Sequence, residues 1–296
     1  MRSNSGRPAP RKPAPPPLKI GRLLEAYTAR QIVRDGHLNI LEEIVGRTKE
    51  RVKVQKKALS PERIEEIARS KDIGSFPFEK ALKSDDIAFI CEIKKSSPSK
   101  GVISEDFPYI NIAKEYESAG AAAISVLTEP YYFKGDDRYL REIADVVPIP
   151  LLRKDFTVDS YMIYEAKILG ASAVLLICAV LDRDTLAEYI STAHSLGLSA
   201  LVETHSEKEV DMALNAGARI IGVNNRNLKT FEVDITLSEN LRRITPDNVL
   251  FVSESGINSR EDIAQLRKIG ADAVLIGEAV MRSADKKSKI QSLRGK

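Results

Sequence analysis

Five times along this chain a helix-like stretch ends in a glycine, a small or apolar residue follows, and an apolar run begins at once. The junctions read Ser118-Ala119-Gly120-Ala121, Ile168-Leu169-Gly170-Ala171, Ser195-Leu196-Gly197-Leu198, Asn215-Ala216-Gly217-Ala218 and Lys268-Ile269-Gly270-Ala271. A glycine at that place takes the left-handed conformation that closes a helix C-terminus. A strand entered so directly, and apolar almost throughout, is a parallel strand buried on both faces. Strands are expected near 89–94, 122–127, 149–154, 173–178, 199–203, 219–224, 249–254 and 273–277. Parallel strands with a helix between each pair predict an α/β fold, a closed (β/α)8 TIM barrel, which takes about 250 residues as one domain. A doubly wound open sheet is the alternative, but the Gly-x-Gly-x-x-Gly turn it would carry after its first strand is missing. No P-loop pattern occurs either.

In such barrels chemistry sits at the C-terminal strand ends. The first strand runs into Glu92-Ile93-Lys94-Lys95-Ser96-Ser97-Pro98-Ser99-Lys100-Gly101. Period-2 alternation sends Ile90, Glu92 and Lys94 to one face and Cys91 and Ile93 to the other. The loop that follows offers hydroxyls and backbone N–H groups to an anion. The third strand ends Leu152-Arg153-Lys154-Asp155, the fifth Val202-Glu203, the sixth Val223-Asn224-Asn225-Arg226 and the seventh Ser253-Glu254-Ser255-Gly256. A lone polar strand end is a solvated rim; this many on one mouth form a site. Ser255-Gly256-Ile257-Asn258 and Ile276-Gly277-Glu278-Ala279 supply the glycine loops and helix starts of a barrel phosphate site, with the condition that the Glu278 carboxylate point away from the anion.

Composition removes other classes. With 43% hydrophobic and 29% charged residues and no Trp, and no apolar run long enough to span a bilayer, the chain is expected to be a cytoplasmic globular protein without a membrane partner. The net charge is +3, and much of that excess sits in Arg2, Arg7, Arg11, Lys12 and Lys19. The folded part is then near neutral, without the basic face of a nucleic-acid protein. Cys91 and Cys178 lie in apolar strands and are expected as buried free thiols. His37, His194 and His205 show no metal-ligand spacing, so no metal site is expected.

The strand-end motifs, together with Leu127-Thr128-Glu129, Tyr132-Phe133-Lys134-Gly135, Val202-Glu203-Thr204-His205, Asn224-Asn225-Arg226-Asn227-Leu228 and Ser253-Glu254-Ser255-Gly256-Ile257, resemble the indole-3-glycerol phosphate synthase family of tryptophan biosynthesis over about residues 39 to 290. The resemblance implies a phosphorylated small-molecule substrate, 1-(2-carboxyphenylamino)-1-deoxyribulose 5-phosphate, and a carboxy-lyase reaction of ring closure, decarboxylation and dehydration without a cofactor. It implies Lys154 as general acid, and Lys94 as partner of the anthranilate carboxylate and donor to the departing hydroxyl. Glu203 is implied as acid/base partner of the dehydration, with Glu92 and Asn224 orienting the substrate. Arg226, Ser255 and Phe133 are implied as substrate-binding residues, and Ser97, Gly256 and Gly277 as the phosphate site. Which carboxylate takes the last proton stays open. So do two rivals: another enzyme on this scaffold, such as a phosphoribosyl isomerase or a Schiff-base aldolase, and a non-catalytic barrel. A monomer is expected, with a homo-oligomer left open.

Ahead of the first strand, residues 20–34 read as weakly helical up to Asp35-Gly36. Residues 39–57 read as an amphipathic helix with Leu41, Ile44, Val45 and Val52 on its apolar stripe. Ser60-Pro61 opens a helix to about Arg69. These helices are expected either to act as a lid or plug or simply to pack on the barrel. Residues 1–19, rich in Pro, Arg and Ser, read as a disordered tail. The organisation expected is an extension over 1–38, a barrel with its leading helices over 39–290, and a C-terminal tail over 291–296. Two readings of the extension stand side by side: a dispensable addition, or a coding start placed upstream of a real one near Leu38.

Overall fold

The computed structural model describes residues 40–295 apart from Ser99, Leu228 and Lys229. The expectations for residues 1–38, their order and the start near Leu38 included, lie outside the described residues.

The barrel strands are β1 Ala88–Ile93, β2 Ala123–Leu127, β3 Leu151–Lys154, β4 Ala173–Ile177, β5 Ser199–Thr204, β6 Ile220–Asn224, β7 Leu250–Glu254 and β8 Ala273–Ile276. Each pairs in parallel with the next, and β1 pairs with β8 as well as β2, so the sheet closes. Among the described residues three helices precede it, α1 Ile40–Ala58, α2 Pro61–Arg69 and α3 Pro77–Leu82. The rest follow the strands: α4 Tyr109–Ser118, α5 Asp137–Ala144, α6 Tyr161–Leu169, α7 Arg183–Ser195, α8 Glu207–Asn215, α9 Thr236–Arg242, α10 Arg260–Lys268, α11 Glu278–Met281 and α12 Lys286–Arg294.

The junction glycines act as the sequence requires. Gly120, Gly170, Gly197, Gly217 and Gly270 all have φ between 70° and 91°. At each, the glycine N–H reaches back to one carbonyl and the next residue's N–H to an earlier one, as in Gly120 N to Glu117 O at 2.9 Å and Ala121 N to Tyr116 O at 3.0 Å. That is the Schellman arrangement, whose apolar contact is made by the residue after the glycine; Ala121, Ala171, Leu198, Ala218 and Ala271 are accordingly buried. Gly197 has a further reason to lack a side chain, since a Cβ there would lie 1.5 Å from the Ile73 carbonyl oxygen.

Alternation divides the core in two. Ile90, Leu152, Leu175, Leu201, Val252 and Leu275 fill the barrel, whereas Phe89, Cys91, Ile93, Val126, Leu176, Val202 and Phe251 pack outward among the helices. Both cysteines are buried and free, as expected. The interior is shut at the N-terminal strand ends by Phe78 and Leu82 of α3, which pack with Ala88, Ala123, Ala173, Ile220, Leu250 and Ala273. The sequence reading contained no helix there: α3 is short, and its first turn follows Phe76 in a left-handed conformation.

Ser60 caps α2 by accepting from Arg63 N, as its Ser-Pro start predicts. The stripe of α1 differs from expectation. Val45 is only half-buried, and the buried face reads Leu41, Ile44, Thr48, Arg51 and Val52. Arg51 can be buried because its Nη2 donates to both oxygens of Asp155 at 2.9 Å, which fixes α1 beside the C-terminal end of β3. The expected tail over 291–296 is corrected through residue 294. These residues complete α12, because Ile290 and Leu293 bury one helical face and the Arg294 guanidinium lies 4.7 Å from the Phe89 ring centroid.

Candidate active site

The C-terminal strand ends surround a cavity of about 690 Å³. Glu92, Lys94, Ser97, Phe133, Lys154, Glu203, Asn224, Arg226, Ser255, Gly256 and Gly277 all line it, and Ile40, Leu41 and Ile44 of α1 close one side.

Its charged floor follows from strand register. On β1, β3, β5 and β7 the residues Ile90, Leu152, Leu201 and Val252 form an apolar layer; two positions on, the same face carries Glu92, Lys154, Glu203 and Glu254. Residues from alternate strands share a layer in such barrels, so these four meet. Two glycines between them make room by lacking a side chain. A Cβ on Gly222 would stand 2.3 Å from Glu254 Oε1, and one on Gly277 2.5 Å from Glu92 Oε1.

Lys154 is the hub. Its Nζ donates to Glu203 Oε2 at 2.9 Å and to Glu254 Oε2 at 2.8 Å. Burial works against the ammonium, but Glu203, Glu254 and Glu92 outweigh it and raise the Lys154 pKa. The two carboxylates separate. Burial opposes ionisation of Glu203, but Lys154 and His205, with hydrogen bonds from Lys154 and Asn224, hold its pKa below the ordinary value. Burial, with Glu203 as a like charge, pushes Glu254 up to about 7 in spite of Lys154. Glu254 Oε1 has no hydrogen-bond partner among the described residues. Beside this trio Lys94 Nζ pairs with Glu92 Oε1 at 2.5 Å.

Asn224 donates to Glu203 Oε1 at 3.3 Å and accepts from Arg226 N at 3.1 Å. The Arg226 guanidinium donates to Phe231 O at 3.2 Å, in the loop after β6. Asn225 is buried and ties that loop to the next: its Nδ2 donates to Ser253 Oγ at 3.0 Å and to Ser255 O at 3.1 Å. Ser255, at φ 66°, is held left-handed beside Gly256 at φ 81°.

The candidate phosphate residues come from three loops. Ser97 belongs to a short hairpin, Ser96–Ser97 against Gly101–Val102, where the sequence reading had a plain loop. Gly256 follows β7, and Gly277 is the N-cap of α11. Glu278 also lines the cavity, and its Oε1 faces Arg282 Nε at 3.2 Å and Lys100 Nζ at 3.7 Å. Phe133 is placed by Glu129, a fully buried carboxylate that accepts from the backbone N–H groups of Tyr131, Tyr132 and Phe133 at 2.9, 2.8 and 3.0 Å.

Glu254, Glu129 and His205 were quoted in the sequence motifs without a role. For Glu254 the signal was available, since it stands two residues after Val252 just as Glu203 stands after Leu201. Glu129 gave no such signal, because its partners are backbone groups.

The family model described as indole-3-glycerol phosphate synthase matches residues 41–293. The indole-3-glycerol phosphate synthase of Ruminiclostridium cellulolyticum is 59% identical over 257 residues, covering 86% of this chain and 99% of that protein. The enzyme of the same name from Endomicrobium trichonymphae is 54% identical over 258 residues, at 86% and 99% coverage. Among solved structures, 3-hexulose-6-phosphate synthase from Salmonella typhimurium superposes with a TM-score of 0.58 at 15% identity, covering 70% of this chain and 96% of that one. A chain of the tryptophan synthase complex from Pyrococcus furiosus gives 0.54 at 16% identity, covering 71% and 99%. At that identity the structural likeness speaks for the barrel alone. The family match and the close relatives speak for more, and on them this chain belongs to the indole-3-glycerol phosphate synthase family.

Proposed function

We propose that the cavity binds 1-(2-carboxyphenylamino)-1-deoxyribulose 5-phosphate, with Lys154 as the acid of the family's carboxy-lyase reaction. The observation that carries this reading is the grip of Glu203 and Glu254 on Lys154 Nζ. It keeps the ammonium charged in a buried place, facing a cavity. When the ring carbon bearing the carboxylate attacks the ribulose carbonyl, its oxygen becomes an alkoxide far more basic than any amine. Lys154 protonates it downhill despite a raised pKa. Carbon dioxide then leaves, restoring the electron pair to the ring system. The new hydroxyl departs as water with a proton from Lys94, while a carboxylate takes a proton from the ring system to complete the indole.

Glu203, ionised and held by Lys154 and Asn224, is the acid/base partner of that dehydration. Glu92 keeps Lys94 directed at the mouth, where the anthranilate carboxylate binds with Arg226 as the second cation. Phe133 and Ser255 flank the substrate. Ser97, Gly256 and Gly277 take the phosphate, with the first N–H groups of α11, which have no partner inside the helix. Every step is redox-neutral and acid–base in kind, so side chains suffice without a cofactor. A charged, phosphorylated intermediate of biosynthesis suits a cytoplasmic enzyme, and a monomer is the simplest form that can act on it. Adding the ribulose phosphate to the purified protein should produce indole fluorescence. Folded protein that stays dark would sink the proposal, and a borohydride-trapped adduct with a sugar phosphate would move it to an aldolase.

A further inference from the structure

His205 follows Glu203 by two residues, just beyond the end of β5, and its ring lies beside that carboxylate. Its Nε2 lies 3.6 Å from Glu203 Oε1, and its Nδ1 lies 3.4 Å from Glu209 Oε2. Glu209 is fixed from the chain itself: at the third position of α8 it accepts from His205 N at 2.7 Å, while its own N–H donates to Ser206 Oγ at 3.3 Å. The three side chains make a row leading inward, with side-chain exposures of 23% for Glu209, 16% for His205 and 3% for Glu203. Neither ring nitrogen has a hydrogen-bond partner among the described residues, and both are buried.

The chemistry of the row selects one state of the ring. An ionised carboxylate only accepts hydrogen bonds, and a neutral imidazole has one N–H and one lone pair. A neutral His205 would therefore turn a lone pair on one of its two carboxylates; the imidazolium has a donor for each. The other ionisable groups near this row are Lys154, which holds the far oxygen of Glu203, Glu254 across the cavity, and Cys178, whose thiol donates to Glu209 O at 3.6 Å. Burial works against a charged ring, but Glu209, Glu203 and Glu254 together raise its pKa.

We propose that His205, as an imidazolium bridging Glu209 and Glu203, is a positioning residue of the reaction that keeps Glu203 ionised and its Oε1 directed at Asn224. The inference rests on the reading of Glu203 as acid/base partner. His205 touches no reacting atom; it acts through Glu203. That separates it from Lys154, which neutralises the opposite oxygen of the same carboxylate.

The test has two arms. In His205→Gln, kcat should fall roughly fivefold with KM little changed. The acid limb of kcat/KM should move to higher pH, because Glu203 has lost a cation and ionises less readily. A His205→Gln enzyme with the parent's kcat and acid limb overturns the proposal. The second arm needs no active variant: in the parent labelled at histidine, the His205 ring should titrate above the usual value of about 6.5, and in Glu209→Gln it should titrate lower than in the parent. A ring titrating at or below the usual value, or indifferent to Glu209→Gln, also overturns it. Turnover by Glu203→Gln distinguishes the two readings. If that variant stays active, the role of Glu203 is lost, while the titration still decides whether the bridge exists.

Discussion

The two ends of the barrel are built from the same strands and treat charge in opposite ways. At the N-terminal end the first residues of the strands, Ala88, Ala123, Ala173 and Ala273 among them, leave space that Phe78 and Leu82 fill to 0% and 1% exposure. Glu79 on the same helix meets Arg219 at 2.7 Å and accepts from Ser199 Oγ at 3.3 Å, and the Arg219 guanidinium lies 4.2 Å from the Phe76 ring centroid. Here an acid meets a base in an ion pair, Arg219 Nε and Nη2 making no well-aligned hydrogen bond among the described residues, and the layer behind is apolar. At the C-terminal end Glu92, Glu203 and Glu254 converge on Lys154, and one oxygen of Glu254 is left without a partner. Buried like charges and an unmatched carboxylate oppose folding. On the proposed function they are retained for chemistry rather than for stability. An apolar layer one residue pair deep separates the two regimes, so stability and chemistry should respond to different substitutions.

The largest effect that would sharpen this contrast belongs to Lys154→Ala. Turnover should fall by about 10² to 10⁴, measured by indole fluorescence, while substrate affinity falls less because Lys94, Arg226 and the phosphate loops remain. Glu203 and Glu254 would face each other without a cation, so one should take up a proton and the fold should hold at pH 5 better than at pH 8. An enzyme within a few-fold of the parent would remove Lys154 from the mechanism.

At the other end Phe78→Ala should cost about 3–5 kcal/mol of stability by denaturant unfolding, the usual effect of emptying an aromatic site. Activity per folded molecule should be unchanged. If kcat falls as well, the apolar layer transmits the plug to the floor and the two ends are not separate.

The barrel was legible because its punctuation is local. A glycine and the residue after it are enough to make a Schellman closure, and five of these set the register of the repeat. Strand ends were expected to within a residue or two, since the last pair depends on the neighbouring strand. What the sequence hid depends on distant partners. Arg51 reads as solvent-facing until Asp155, 104 residues away, accepts both of its bonds. The short α3 has too few turns to show a period, and α12 carries its burial on Ile290 and Leu293 within an otherwise charged stretch. Glu92, Lys154, Glu203 and Asn224 were legible as strand ends, where period-2 alternation turns them to the cavity, whereas Ser97, Phe133, Arg226, Ser255 and Gly256 lie beyond the strands, where alternation says nothing. The differences among the strand-end residues were not legible. Glu203 and Glu254 carry the same side chain in the same layer; His205 and Asn224 lower the first, while Glu203 and Glu92 raise the second.

That last difference gives the smallest and most exacting test, Glu254→Gln. A carboxyl raised from its ordinary 4.5 to about 7 is protonated more readily in the folded chain than in the unfolded one. The stability this contributes is fully present below about pH 4.5 and is lost as pH rises through the folded value. Near pH 5 the neutral acid and the amide are alike, so parent and variant should unfold at similar denaturant concentrations. By pH 8 the parent has had to ionise a buried group and the variant has not. The gap between 4.5 and about 7, which already contains the attraction of Lys154, sets a ceiling of about 3 kcal/mol on the variant's advantage. The variant should therefore be more stable than the parent above pH 7, and any difference in turnover should be confined to that range, where the parent's Glu254 is ionised. A variant less stable than the parent at pH 8 would mean that Glu254 is an ordinary stabilising ion pair like Glu79 at the opposite end, and the contrast between the two ends would fail at the residue where it is sharpest.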